Sequence, residues 1–350
     1  MHPGWSYAGA AVAIACVCVA LSHAVPYFEK KQIPVVSPPL EPVRQSAHQA
    51  ESDVMDESAY DSLTFFRTSS SRTVNGHMYN RAFMAWRRMN PHNQVVWYDD
   101  LDCDAFMDRQ PSELQLAYHS LRPGAFKADL FRLCVLYEHG GCYVDGCSVP
   151  HVPLKTMLSL AGVSPALARQ GPFFVSALEP VAPWAPSQGI HNGFLIVSRR
   201  HPFVKAGIQH ILRVVCKRGY SDSPLSVTGP VNLARAIQQL SDPESRLPFS
   251  TGHNVRTGHD MYLFSFERLV QNIRAVRPGN RGEVPQLLVS KKYDIWKFLF
   301  VDLLAPSRYT NMWHAKQVYR PVVPMCTHST EPTEANEELE VPLVAHSAIF

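Results

Sequence analysis

The chain carries little net charge: 33 Lys and Arg against 30 Asp and Glu leave +3 at pH 7. No basic stripe or RNA-binding motif accompanies that small excess, which argues against nucleic acid as a partner. Zinc-type clusters are also missing. The 16 His are scattered, and no His-x-x-x-His or Cys-x-x-Cys spacing occurs outside the N-terminal segment, so a structural zinc is not expected. No internal repeat stands out. With 350 residues, 46% of them hydrophobic and 18% charged, there is material for one domain of about 250 residues with a sizeable core, plus extra segments.

Charge is absent altogether from Trp5 to Val25 (WSYAGAAVAIACVCVALSHAV). About 21 residues at 1.5 Å rise can cross a bilayer, so residues 1–25 read as a transmembrane signal anchor. The competing reading is a cleavable signal peptide, with Ser22-His23-Ala24 as the small-residue cleavage site and a secreted product. The length of the apolar stretch, beyond the usual signal core, favours the anchor. Lys30 and Lys31 follow the span and no Lys or Arg precedes Trp5, a bias that taken alone favours the opposite orientation to a type II protein. Residues 26–61 are polar and rich in proline (Pro34, Pro38, Pro39, Pro42) and read as a flexible stem. Residues 62–323 form the expected globular domain, and 324–350 an acidic tail.

The most informative stretch is Gly124 to Pro150, GAFKADLFRLCVLYEHGGCYVDGCSVP. Helical spacing puts Ala128, Phe131, Cys134, Val135 and Tyr137 on one apolar side. Asp129 and Arg132, three apart, share a face. Gly140 and Gly141 supply the left-handed turn that ends a helix. A short β-prone run, Cys142-Tyr143-Val144, then delivers Asp145 at its carboxyl end, where open α/β sheets bind ligands. Elsewhere the pattern predicts helices over Tyr79–Met89, Asp104–Arg109, Glu113–Leu121, Val204–Cys216 and Val231–Leu240. It predicts strands over Gln94–Tyr98, Phe173–Ala177 and Gly193–Ser198. Periodicity alone says α/β.

These residues resemble a known family. Asp129-Leu130-Phe131-Arg132 followed by Leu136-Tyr137-Glu138-His139-Gly140-Gly141-Cys142-Tyr143-Val144-Asp145-Gly146-Cys147 is similar to the sugar-transferase region with a DXD motif in family 32 glycosyltransferases. That group includes yeast Golgi mannosyltransferases, and the clostridial glucosylating toxins are more distant relatives. Further blocks with the same resemblance are Trp86, Asn90-Pro91 and Trp97-Tyr98-Asp99-Asp100 upstream, and His191-Asn192-Gly193-Phe194, His201-Pro202-Phe203 and Thr228-Gly229-Pro230 downstream. One departure matters: Cys147 stands where the second acid of the DXD belongs.

The resemblance implies a GT-A-like α/β fold, a single mostly parallel sheet flanked by helices, and transfer of a hexose from a UDP- or GDP-linked donor to a glycan, glycoprotein or glycolipid, with retention. It implies a membrane-anchored type II protein facing the Golgi or ER lumen. Asp145 and Asn192 become the expected catalytic residues. Asp129, Arg132, Gly141, Tyr143, Asp145 and Trp313 become the expected donor contacts, with Trp313 equally plausible as core. A divalent metal, Mn²⁺ or Mg²⁺, would be held by Asp145. Such ions prefer oxygen donors, so Cys147 leaves three outcomes open: weak metal binding through Asp145 and water, metal-independent transfer using Arg or Lys, or a catalytically inactive binding protein. A hydrolase that splits the donor without an acceptor is a further alternative.

Overall fold

A computed structural model describes residues 58–70, 77–181, 187–240, 248–268, 270–275, 285–291 and 308–321. All of them fall within one compact unit, Ala50–Phe350. The expected membrane span and the acidic tail lie outside the described residues. Among those described, no helix is long and apolar enough to cross a membrane.

Among the described residues, eleven strands join into one sheet: β1 Phe65–Thr68, β2 Val95–Tyr98, β3 Gly141–Val144, β4 Ser148–Pro150, β5 Phe174–Glu179, β6 Gly189–Ile190, β7 Phe194–Val197, β8 Gly252–Arg256, β9 His259–Glu267, β10 Asn272–Ala275 and β11 Gln286–Lys291. Their order is β2-β1-β3-β7-β5-β9-β10-β11-β4, with β6 on β5 and β8 on β9. The α/β class and the single helix-flanked sheet are as expected. The mostly parallel pairing is not. Among the described strands, only β1 with β2, β1 with β3 and β5 with β9 run parallel, and the remaining pairs are antiparallel.

Connection length accounts for the pairs of consecutive strands. Helix His77–Met89 links β1 to β2, and helices Asp100–Met107, Ser112–Ser120 and Gly124–His139 link β2 to β3. Crossovers of that size permit parallel neighbours. Downstream the links shorten. Between β8 and β9 only Thr257 and Gly258 intervene, both at positive φ (48° and 73°), the two-residue turn that closes an antiparallel hairpin.

Strand residues alternate between two buried faces. Phe66, Tyr143, Leu195 and Val197 point to one core, shared with Phe131, Leu133 and Phe203. Phe65, Cys142, Val144, Phe194 and Ile196 point to the other, with Trp86, Leu158 and Phe266. Helix Gly124–His139 is therefore enclosed, and burial covers Asp129 and Arg132 as well as its apolar residues. The ion pair between those two is buried rather than on the helix surface.

Two boundaries shift. Helix Asp100–Met107 starts four residues before the expected Asp104, because Asp99 and Asp102 form a reciprocal capping box that satisfies orphan N–H groups at that earlier point. The polar stem was expected to run to Asp61. Instead Ser58–Asp61 is a helical turn whose Ala59 and Tyr60 are buried, and the Tyr60 hydroxyl donates to the Val163 carbonyl at 2.8 Å.

Candidate active site

Val144 ends a strand in the middle of the sheet order, and Ser148 begins the strand at its far end. Only Asp145, Gly146 and Cys147 separate them. That link spans no more than about 14 Å, so the sheet curls and brings β11, paired to β4, back to the carboxyl end of β3. Trp86 holds the returning strand by donating Nε1 to the Ser148 carbonyl at 2.9 Å. Asn90 accepts from Leu154 N at 2.7 Å just beyond it. These residues of the upstream block thus support the loop that carries Asp145.

Register pairs Lys291 with Ser148, and the Lys291 ammonium donates to Asp145 Oδ2 at 2.6 Å. On the other side of the carboxylate, Arg132 Nη1 lies 3.5 Å from Oδ1. Arg132 is itself fixed. Its Nη2 lies 3.2 Å from Asp129 Oδ1, its Nε donates to the Ala128 carbonyl, and the guanidinium sits 4.6 Å over the Tyr143 ring. Asp129 is clamped in turn. The Asn192 amide donates to its Oδ1 at 2.9 Å and the Thr228 hydroxyl to its Oδ2 at 2.8 Å. Four charged side chains, two of each sign, therefore form one network, and Asp145 is its most exposed member at 23% against 8% for Arg132.

Burial alone would raise the Asp145 pKa. The Lys291 ammonium and the Arg132 guanidinium outweigh it and hold the carboxyl well below the usual carboxylate range. At Asp129 burial prevails, and its pKa is raised despite Arg132, Thr228 and Asn192. Asn192 and Thr228 donate to it, and Arg132 pairs with it. Burial also raises the Cys147 thiol.

Of the expected site residues, Asp129, Arg132, Asp145 and Asn192 come together. The Asn192 amide serves Asp129, which makes it a positioning group in this arrangement. Gly141 and Tyr143 meet other parts of the protein. A Cβ at Gly141 would meet the Thr64 carbonyl at 2.4 Å, so the missing side chain admits the protein's own backbone. Tyr143 is fully buried, with its hydroxyl bonded to Thr68 Oγ1 at 2.6 Å, and it acts as the platform for Arg132. Trp313 donates to the Tyr220 carbonyl at 2.8 Å and packs against the helical core, which matches the core alternative. His191 lies 2.6 Å from Glu179 through Nδ1 and stacks on Phe266. Arg268 pairs with the other Glu179 oxygen. Trp97 donates to Ser69 Oγ and packs on Phe83.

Sequence reasoning missed three participants. Thr228 was visible only as part of a weak Thr-Gly-Pro block. Gly193 is required because a Cβ there would lie 2.6 Å from Asp145 Oδ2. Lys291 had no signal: it lies 146 residues from Asp145, and only the sheet closure joins them.

A divalent metal does not fit this donor set. Asp145 has a cation at each oxygen, Cys147 is a buried soft donor, and hard ions require several oxygens. No group of three or more His, Cys, Asp or Glu among the described residues could hold an ion.

Residues 76–160 match the family described as glycosyltransferase sugar-binding region containing DXD motif. One solved structure, the PaToxG glycosyltransferase, is similar at 12% identity over 51% of this chain and 69% of that one, with a TM-score of 0.34. No curated protein matches the sequence.

Proposed function

We propose that this glycosyltransferase-family protein moves a hexose from a UDP- or GDP-linked donor to a glycan, glycoprotein or glycolipid acceptor, with retention at the anomeric carbon. The observation that carries this reading is Asp145, anchored at the end of β3 inside the matched sugar-binding region, partly open to solvent, and set between two fixed cations. Pre-organised charge of this kind acts where charge develops during transfer. Asp145 and Arg132 are the groups placed to contact the donor. Asp129, Asn192, Thr228 and Tyr143 hold Arg132 in position.

A luminal or secreted location accompanies the reading. Cys216 is disulfide-bonded, and disulfides persist in oxidising compartments. Residues 1–25 would anchor the protein in the membrane as a single-pass type II protein, or be cleaved from it.

A second reading, an inactive sugar-nucleotide-binding protein, draws on the same network. Both Asp145 oxygens already have cationic partners, and the second acid of the motif is Cys147. The deciding experiment incubates the protein with a panel of UDP- and GDP-hexoses and mixed glycan acceptors, read by mass spectrometry. A hexose-extended glycan supports transfer. Donor binding without turnover supports the second reading, and free hexose without an extended glycan indicates hydrolysis. No binding of any donor removes all of them.

A further inference from the structure

We infer that Lys291, together with Arg132, takes the electrostatic place of a divalent metal ion at Asp145, so that protein cations alone meet the diphosphate of the donor. This rests on the nucleotide-sugar reading above. The first argument is position. The Lys291 ammonium sits 2.6 Å from Oδ2 of the one carboxylate left in the motif, where an ion bound to that oxygen would have to lie. The second is construction. Lys291 ends β11, whose pairing with β4 is three residues from Asp145, so the same backbone that presents the acid also presents the amine. Its side chain is only 13% exposed, which fixes it there more firmly than a surface lysine.

The third argument is charge balance. Two carboxylates with a doubly charged ion sum to zero. Replacing one carboxylate by the uncharged side chain of Cys147 removes one negative charge, and replacing the ion by Lys291 removes one positive charge. The sum is unchanged. An ammonium has three donors in a compact head, so like a metal ion it can bridge a carboxylate to a phosphate.

During transfer the bond between the anomeric carbon and the β-phosphate oxygen breaks, and its electron pair stays on that oxygen. The acceptor hydroxyl oxygen bonds to the anomeric carbon and releases its proton to solvent. The nucleoside diphosphate leaves with one more negative charge than it carried as the ester. A fixed ammonium beside it offsets that charge without reorganisation.

The test uses the whole chain, with UDP and GDP as probes, in calorimetry with EDTA and then with Mn²⁺. The inference expects at least one nucleotide to bind in EDTA and Mn²⁺ to leave its affinity nearly unchanged. Lys291→Met should weaken binding by about tenfold or more, the loss of one charge-assisted contact, while Lys291→Arg retains most of it. Electron paramagnetic resonance should show no Mn²⁺ held by the wild type, and bound Mn²⁺ in the double variant Cys147→Asp, Lys291→Met. Nucleotide binding that requires Mn²⁺, tight Mn²⁺ binding by the wild type, or a folded Lys291→Met protein with unchanged affinity would each overturn the inference while leaving the nucleotide-sugar reading intact. Absence of UDP and GDP binding with and without Mn²⁺ overturns that reading and the inference together. The wild-type measurements need no variant, so they remain decisive even if Lys291→Met fails to fold.

Discussion

Lys291 Nζ and Asp145 Oδ2 are 2.6 Å apart, although 146 residues separate them in sequence. The contact exists because the sheet curls until its last strand meets the end of its central one. It joins the segment with the sugar-binding motif to a strand in which no motif is recognisable. Removing the acid should therefore have two effects. Asp145→Asn should lower transfer by about a hundredfold or more, as for loss of a pre-organised electrostatic group. It should also cost about 1–3 kcal/mol of stability, because Lys291 and Arg132 lose a charged partner. Steady-state assays and urea denaturation measure the two effects separately. Retained turnover in a folded variant would remove Asp145 from the mechanism.

Gly193 tests the same site without touching a charge. Its backbone lies so close that an added Cβ would sit 2.6 Å from Asp145 Oδ2 and 2.9 Å from Cγ, inside van der Waals contact. Gly193→Ala must push the carboxylate away from Lys291 or shift the strand. The expected result is a drop in activity of about tenfold or more, since small misplacements at a reacting centre are costly, with far-ultraviolet circular dichroism unchanged. Wild-type kinetics in this variant would mean that Asp145 does not need its observed position.

The helix, the glycine pair and the strand that lead to Asp145 were legible in sequence because each has a local cause: apolar spacing, left-handed glycines, β-branched and aromatic residues. Asp129 and Arg132 were legible as a pair for the same reason. The rest depends on topology. Strands β8 to β11 carry mixed, half-buried patterns that give little periodic signal. The resemblance implies donor contacts at Gly141 and Tyr143, but the Tyr143 ring is fully buried and covered by the Arg132 guanidinium. Local pattern cannot show which backbone fills the space beside a glycine, and at Gly141 it is Thr64.

The N-terminal boundary offers a test of packing. Tyr60 is 6% exposed, belongs to the core under the sheet and bonds across to Val163. Its carbonyl also accepts from the Asn93 amide at 2.6 Å. A chain starting at Ala50 should therefore be more stable than one starting at Ser62. Loss of a buried aromatic costs about 3–5 kcal/mol, which corresponds to a melting temperature lower by about 6 °C or more. Differential scanning calorimetry on the two chains decides it. Equal melting temperatures would mean that the turn Ser58–Asp61 adds nothing to the fold.

His201 sets a pH dependence separate from the site. It is the N-cap of helix Pro202–Cys216, with Nδ1 accepting from Phe203 N. Its Nε2 has no hydrogen-bond partner, and the rings of Phe174, Phe203 and His259 surround it. Burial, and secondarily His259, lower its pKa to about 3, against about 6.5 in an unfolded chain. The folded state thus favours the neutral ring. Its contribution is whole above about pH 6.5 and is lost as pH falls toward 3, at up to about 1.4 kcal/mol per pH unit. Asp145 and Glu179, both held below their ordinary values, stay ionised between pH 7 and 5 and do not confuse the reading. His201→Asn keeps a capping acceptor and removes the titration. The stability gap between wild type and variant should shrink by about 2 kcal/mol from pH 7 to pH 5, measured by urea unfolding at each pH. A gap that stays constant would mean that His201 is not held neutral by the fold.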